Sequence, residues 1–451
     1  MTGKLKKLTA IAMAAVMGLS IVGCGKETGG NGSKGDQVTI TIMQANSPDK
    51  AYFDKLGEAF TEEHPNIKVE VIAVPYDNFD SKLQTLVASG DAPDITTHVS
   101  AMGFMDFYSK DMLTDLTPYI EKSGFDYKEA GIPENVMESA MIDGKMYGIP
   151  LNTFTSVLVY NKDIFDEAGV PYPPSDYEDK TWTWDKMIET AKQLTSGDEG
   201  NKTYGLLWNW SGTTPGQDPQ YFGLNMFNMS ADNAAFAQSC NMADSAIIDS
   251  YQKVVDLAYV DGISPSPAIQ QAMAGTNDAE PFLSGRIAME VDGSWILNGL
   301  NEMPFRAGVA AIPIGGDENI RDVLYTDPYV VLKGSEHPEE AFEFIKFMAS
   351  KEMQEQMIED SEGNPPASTL ALEKYYEYFS DIDKEDLKNV TEGGLKYGVE
   401  NIGHEIAGAG EINNLLINEL ANVNNGTEKA KDVCPDIAKK LDALLKEIAE
   451  K

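Results

Sequence analysis

Cysteine is scarce in this chain: three in 451 residues, at positions 24, 240 and 434, with no Cys-x-x-Cys pair and no Cys/His grouping at zinc-finger spacing. That excludes thioredoxin-type and structural-zinc chemistry. Histidine is nearly as scarce, and His64, His98, His337 and His404 lie too far apart to suggest a metal set. Basic residues are few, 35 against 72 acidic, and the formal charge of −37 makes a surface that repels nucleic acid and anionic headgroups. No run of about 18 apolar residues follows residue 23, so no later segment is expected to span a bilayer. Phosphate-binding and hydrolase motifs are missing too. There is no P-loop and no Gly-x-Ser-x-Gly, and His404-Glu405 lacks the second histidine that a zinc protease helix needs. No repeat at solenoid period is visible.

An apolar fraction of 42% over 451 residues is enough for two or more ordinary globular cores. The N-terminus carries a basic stretch, Lys4, Lys6 and Lys7, then the apolar run from Leu8 to Gly23, shorter than a comfortable membrane span. This reads as an export signal over residues 1–23. Its end, Ile21-Val22-Gly23-Cys24, resembles the lipobox of bacterial lipoproteins, which makes Cys24 the expected lipid anchor. Residues 24–37 are rich in Gly, Ser and Lys without apolar period and read as a leash reaching roughly 20 Å.

From Val38 onward strand and helix patterns alternate. Val38–Met43 alternates as a half-buried strand, Tyr52–Glu63 has helical spacing, Ile67–Val74 is a second strand, and Asn78–Ser89 a second helix ended by Gly90. Thr183 is placed to cap a helix Trp184–Leu194, with Asp185 in its first turn. Strands are expected at Ser156–Tyr160, Ile287–Val291, Ala307–Ile312 and Tyr329–Leu332, and residues 370–451 are expected to be mostly helical. Asp94 after Pro93 is expected to bond backbone, and Gly293 to permit a tight return that presents Trp295. Cys240 and Cys434 are open to either a free or a paired state.

Five segments in order carry a resemblance: Ser89-Gly90-Asp91-Ala92-Pro93-Asp94-Ile95, Asp143 to Pro150, Val159-Tyr160-Asn161-Lys162-Asp163 with Phe165 and Gly169, Gly285-Arg286-Ile287-Ala288-Met289 through Trp295, and Ala341–Met348. Together, after a lipobox, they are similar to the family 1 extracellular solute-binding proteins of ABC importers, the group that includes maltose-binding protein. The resemblance covers roughly residues 38–451. It implies an α/β, two-lobed periplasmic-binding-protein-like fold of type II, with a hinge and a ligand cleft between lobes. By analogy one lobe takes residues 38–150 plus 307–357 and the other 151–306 plus 358–451. It also implies capture of a saccharide, delivery to permease subunits, attachment to the membrane through the N-terminal lipid alone, no cofactor, no catalysis, and action as a monomer.

A sugar presents apolar C–H faces and a hydroxyl rim, so its site wants flat aromatics and planar amides or carboxylates. Trp295 matches the family position of a stacking aromatic. One of Trp208 and Trp210 is expected at the ligand. Polar contacts are expected from Asn46, Asp77 beside Tyr76, Asn152, Asp292 and Asp327, with Tyr329 across Pro328 in a stretch expected to be irregular. His98 and Ser100 follow the Pro-Asp-Ile strand, where the family often places contacts. Other readings are a peptide, polyamine or metal ligand in the same fold, a surface glycoside hydrolase using a carboxylate pair, or an adhesin.

Overall fold

A computed structural model describes residues 37–45, 49–75, 78–97, 103–198, 200–208, 213–231, 233–274, 281–316 and 320–450. The export signal, Cys24 and most of the leash lie outside the described residues, as do Asn46, Tyr76, Asp77, His98, Ser100 and Trp210. Among the described residues no helix is long and apolar enough to cross a membrane.

Nine strands form one mixed sheet: β1 (Val38–Ala45), β2 (Ile67–Val74), β3 (Ile95–Thr96), β4 (Ile149–Asn161), β5 (Leu207–Trp208), β6 (Met289–Gly293), β7 (Ala307–Ala310), β8 (Asp322–Val331) and β9 (Gly398–Glu400). β1 lies between β2 and β3, parallel to both, with Val38 opposite Ile67 and Ile42 opposite Ile95. Asp94 fixes that corner. Its carboxylate accepts the Thr41 amide at 2.7 Å, the Thr41 hydroxyl at 2.9 Å and the Ser335 hydroxyl at 2.6 Å, the backbone-bonding role the sequence predicts.

β8 runs antiparallel to β3 at one end and to β4 along most of its length. β4 also pairs antiparallel with β6 and β7. A 13-residue strand spans roughly 40 Å, more than one core needs. β4 accordingly begins in one hydrophobic core and ends in another. Ile149 and Leu151 join Ile40, Phe60, Phe107 and Phe344, whereas Val157 to Tyr160 join Phe165, Trp184, Phe282 and Ile312. β8 makes the reverse passage, from Val323 and Tyr325 in the second core to Tyr329–Leu332 in the first. The helix Lys351–Asp360 crosses as well, Met353 and Met357 facing the first core and Ile358 the second. A third core, built from Phe227, Tyr251, Leu416, Leu420 and Leu441, lies under the C-terminal helices Ala409–Asn424 and Ala430–Glu450.

Two expectations need correction. Asp327-Pro328-Tyr329 is not an irregular link but the interior of β8, where the ladder continues past a register shift between Asp327 and Pro328. Proline lacks the N–H that the ladder would use, so the strand absorbs it as a bulge. Residues 307–312, with Val323 and Tyr325, which analogy places with the first lobe, pack into the second core: β7 pairs with β4 at Leu158–Asn161, and Val309–Ile312 are buried there. Local expectations fare well. The Thr183 hydroxyl accepts the Lys186 amide at 3.2 Å at the start of Trp184–Leu194, and Cys240 and Cys434 are free thiols.

Candidate functional site

The strand crossing positions the site. Antiparallel register sets Asn152 opposite Asp327 and Phe154 opposite Tyr325, and residues paired this way point to the same face. On that face stands Trp295. Its ring lies 5.8 Å from Phe154 and 4.8 Å from Tyr325 between centroids, edge-on to each, and the residue is 37% exposed, unusual for an indole with two aromatic neighbours. A Cβ on Gly293 would sit 2.2 Å from the Trp295 ring, so the glycine is what lets the indole fold back over its own strand end. This is the tight return anticipated from sequence.

Below the aromatic trio runs a chain of buried hydroxyls. The Tyr325 hydroxyl donates to Gln217 Oε1 at 2.8 Å and lies 3.4 Å from the Tyr221 hydroxyl, which is 2.7 Å from Ser156 Oγ. The Ser156 amide donates to Asp322 Oδ1 at 2.8 Å, and the Tyr177 hydroxyl donates to the other Asp322 oxygen. Burial raises the pKa of both Tyr221 and Tyr325 well above 10, so they remain protonated. Burial also pushes Asp322 up to about 7 against the lowering effect of these donors. The network fixes the Tyr325 ring, and the ring supports Trp295.

Polar groups border the trio. His404 sits beside Tyr325, 6.5 Å between ring centroids, and its Nδ1 is 2.6 Å from Glu400 Oε1, which also accepts the Thr326 amide at 3.1 Å. Burial by itself would lower the His404 pKa; the Glu400 bond and charge outweigh it and raise the value. Glu405 is open to solvent, yet surrounding protein and the Glu400 charge push its carboxyl up to about 8. Three residues after Trp295, Asn298 joins amides with Asn364, Asn298 Nδ2 donating to Asn364 Oδ1 at 3.0 Å.

Among residues singled out by sequence, Asn152, Asp327 and Trp295 come together at this crossing. Asn152 spends its amide on Pro365 O, 3.3 Å, and Met357 Sδ, 3.2 Å, which ties β4 to the third crossing segment. Asp292 is buried, with its Oδ1 2.7 Å from the Gly293 amide, at the turn that carries Trp295. Trp208 is enclosed instead: only 4% exposed, it donates Nε1–H to Asp218 at 2.8 Å and packs edge-on against Trp184 and Tyr221, one layer beneath Tyr325. Tyr329 is likewise buried, against Phe53 in the first core. Phe154, Tyr325, His404, Asn298 and Asn364 were not singled out. For Tyr325 a signal existed, because Val323, Tyr325 and Asp327 keep the period of two.

A profile of the family described as bacterial extracellular solute-binding protein matches residues 44–355, more than half of the chain. Among relatives, the galactooligosaccharide-binding protein of Bacillus subtilis is 25% identical, over 81% of this chain and 82% of its own. The multiple sugar-binding protein of Streptococcus mutans is 23% identical over 80% and 82%. Among solved structures, an ABC substrate-binding protein from Listeria monocytogenes in complex with cycloalternan superposes with a TM-score of 0.74 at 26% identity, covering 91% of this chain and 99% of that one. Maltose-bound MalE3 of T. maritima superposes at 0.69 with 21% identity, covering 90% and 100%. With two cores joined by crossing strands, an aromatic trio at the crossing and these likenesses, the chain has the two-lobed periplasmic-binding-protein fold and belongs to the bacterial extracellular solute-binding proteins.

Proposed function

We propose that this chain is the ligand-capturing component of an ABC importer and that it binds an oligosaccharide between its two lobes without altering it chemically. The observation that carries the reading is Trp295, half-exposed and held by Phe154 and Tyr325, with amides, a histidine and carboxylates around it. A pyranose face stacks on such a ring while its hydroxyls meet the polar border. Relatives named for oligosaccharides support the same class. The proposed contacts are Trp295, Asn152 and Asp327, joined by Asn46, Tyr76, Asp77, His98, Ser100 and Trp210, with Asp292 holding the Trp295 turn.

One lobe comprises the first core, residues 38–151 and 329–357, and the other the second and third cores; closing one on the other would report occupancy to the permease. Cys24, freed by cleavage after residue 23 and lipidated, would hold the protein on the outer face of the cytoplasmic membrane. A Cys24→Ala chain should appear in the medium instead of the membrane fraction.

A polyamine is a second reading, favoured by the carboxylates of Asp327 and Glu400 grouped near the rings. Thermal-shift screening against saccharides, amino acids and polyamines separates the two. A ligand at 100 times its Kd adds about 2.7 kcal/mol to stability, a clear rise in Tm. Stabilisation by a saccharide recovered intact supports capture. Cleavage of that saccharide would make the protein a hydrolase, and stabilisation by a polyamine alone would replace the ligand class.

A further inference from the structure

We infer that the amide pair Asn298–Asn364 is the hydroxyl-reading, specificity-determining element beside Trp295. The inference rests on the carbohydrate reading above and names which residues of this chain select among saccharides.

Trp295 and Asn298 belong to one 3₁₀ turn, Ser294–Glu302. In that geometry residues three apart eclipse, so the Asn298 side chain leaves the turn on the same face as the stacking indole. Its Nδ2 donates to Asn364 Oδ1 at 3.0 Å. One amide–amide bond uses one donor and one acceptor and leaves the other edges open. Asn298 Oδ1 is buried with no hydrogen-bond partner. An unmatched acceptor therefore sits one 3₁₀ turn along from the proposed stacking ring. A hydroxyl can donate to that oxygen and accept from an amide N–H of the same pair.

The position of Asn364 is held with unusual care. It follows Glu362 at φ 63°, a left-handed conformation that a non-glycine residue adopts under strain, and Gly363 at φ 102°, where a Cβ would stand 2.5 Å from the Phe379 ring. Pro365 and Pro366 follow. The Gly363 amide donates to Ile358 O at 2.8 Å, the Asn364 amide to Ser361 Oγ at 3.2 Å, and the Asn152 side chain to Pro365 O at 3.3 Å. Because Asn152 lies on the crossing strand β4, the loop that carries Asn364 is tied to the strands that orient Phe154. Strain combined with dense support is what a preorganised contact requires.

The test is isothermal titration of the full chain with maltotriose, lactose, mannotriose and arabinotriose, followed by the monodeoxy forms of whichever binds. In the unmodified protein one deoxy position should cost about tenfold in Kd, the loss of about one hydrogen-bonded hydroxyl. In Asn364→Ala and, separately, Asn298→Ala, the parent sugar should weaken by about tenfold and the penalty for that one deoxy position should vanish. A variant that merely loosened the loop would weaken parent and deoxy forms alike and keep the penalty. Unchanged affinity in both variants, or a deoxy penalty that persists in both, overturns the inference while leaving the carbohydrate reading intact. Failure of all four saccharides to bind the unmodified protein sinks the carbohydrate reading and this inference with it. Should either variant fail to fold, a structure of the natural chain with the bound trisaccharide decides: no ligand hydroxyl within 3.5 Å or so of either amide would refute the assignment.

Discussion

The carboxylate of Asp106 accepts the Gly408 amide at 2.9 Å, across 302 residues of sequence. It joins the helix Phe104–Ser109, which buries Phe104 and Phe107 in the first core, to the loop that opens the helix Ala409–Asn424 of the third. Met105 and Tyr108 of the same helix touch both cores. Gly103 approaches so closely that a Cβ there would meet Gly403 O at 2.3 Å.

This contact bridges the proposed lobes, so Asp106→Ala should favour separation. A hydrogen bond to a charged group is worth about 1.5–3 kcal/mol, and we expect the ligand dissociation rate to rise by roughly tenfold or more. Stopped-flow fluorescence measures it. A dissociation rate equal to that of the unmodified protein would mean the contact survives opening and is part of the hinge.

Gly293→Ala should weaken binding by displacing Trp295. The new methyl would enter space the Trp295 ring occupies, 2.2 Å from its nearest atom. We expect the indole to swing out, saccharide affinity to fall at least as far as in Trp295→Ala, roughly tenfold, and the intrinsic tryptophan emission to shift. Normal affinity in Gly293→Ala would show that the packed-back ring is not the binding conformation.

Arg321 should be indispensable to stability. It is fully buried, donates to Ile312 O at 2.9 Å and to Tyr177 O, and its guanidinium lies 4.8 Å from the Tyr177 ring. Arg321→Ala strips these carbonyls of donors and leaves Asp322 without a nearby cation; we expect a loss of about 3–5 kcal/mol in urea unfolding. A change below about 1 kcal/mol would show that water replaces the guanidinium.

Stability should fall as pH rises from about 4 to 8. Glu405 titrates at about 8 and Asp322 at about 7 when folded, against ordinary carboxyl values of 4.5 and 3.8, so the folded state holds protons that the unfolded chain has lost. Their stabilisation is complete below the unfolded values and disappears as pH passes the folded ones. His404, also raised, acts in the same direction: its contribution is full below 6.5 and is lost above its folded pKa. Repulsion among 72 acidic side chains adds a slope of the same sign, so the informative quantity is the difference between Tm profiles of the unmodified chain and Glu405→Gln. The variant should be flatter between pH 4.5 and 8. Parallel profiles would show that Glu405 keeps an ordinary pKa.

Much of this protein can be read from its sequence. Period-two and period-3.6 patterns, with Thr183 as a cap and Gly90 as a stop, place most elements, because these signals depend on neighbours a few residues apart. Family likeness, the α/β class and Trp295 as the exposed ring come from linear segments too. β8 shows the limit: Pro328 reads as a break, and only pairing with β4 on one side and β3 and β9 on the other carries the strand through it.

The site itself was decided by tertiary structure. Asn152 and Asp327 are conspicuous separately, but their sharing of one face depends on antiparallel register between strands about 175 residues apart. Trp208 and Trp295 look alike as letters; one is sealed against Trp184 and Tyr221, and the other stands open because Gly293 leaves room for it. Burial is a property of what packs on a residue from elsewhere in the chain. So local chemistry decided which elements form, and long-range packing decided which of their side chains meet at the strand crossing.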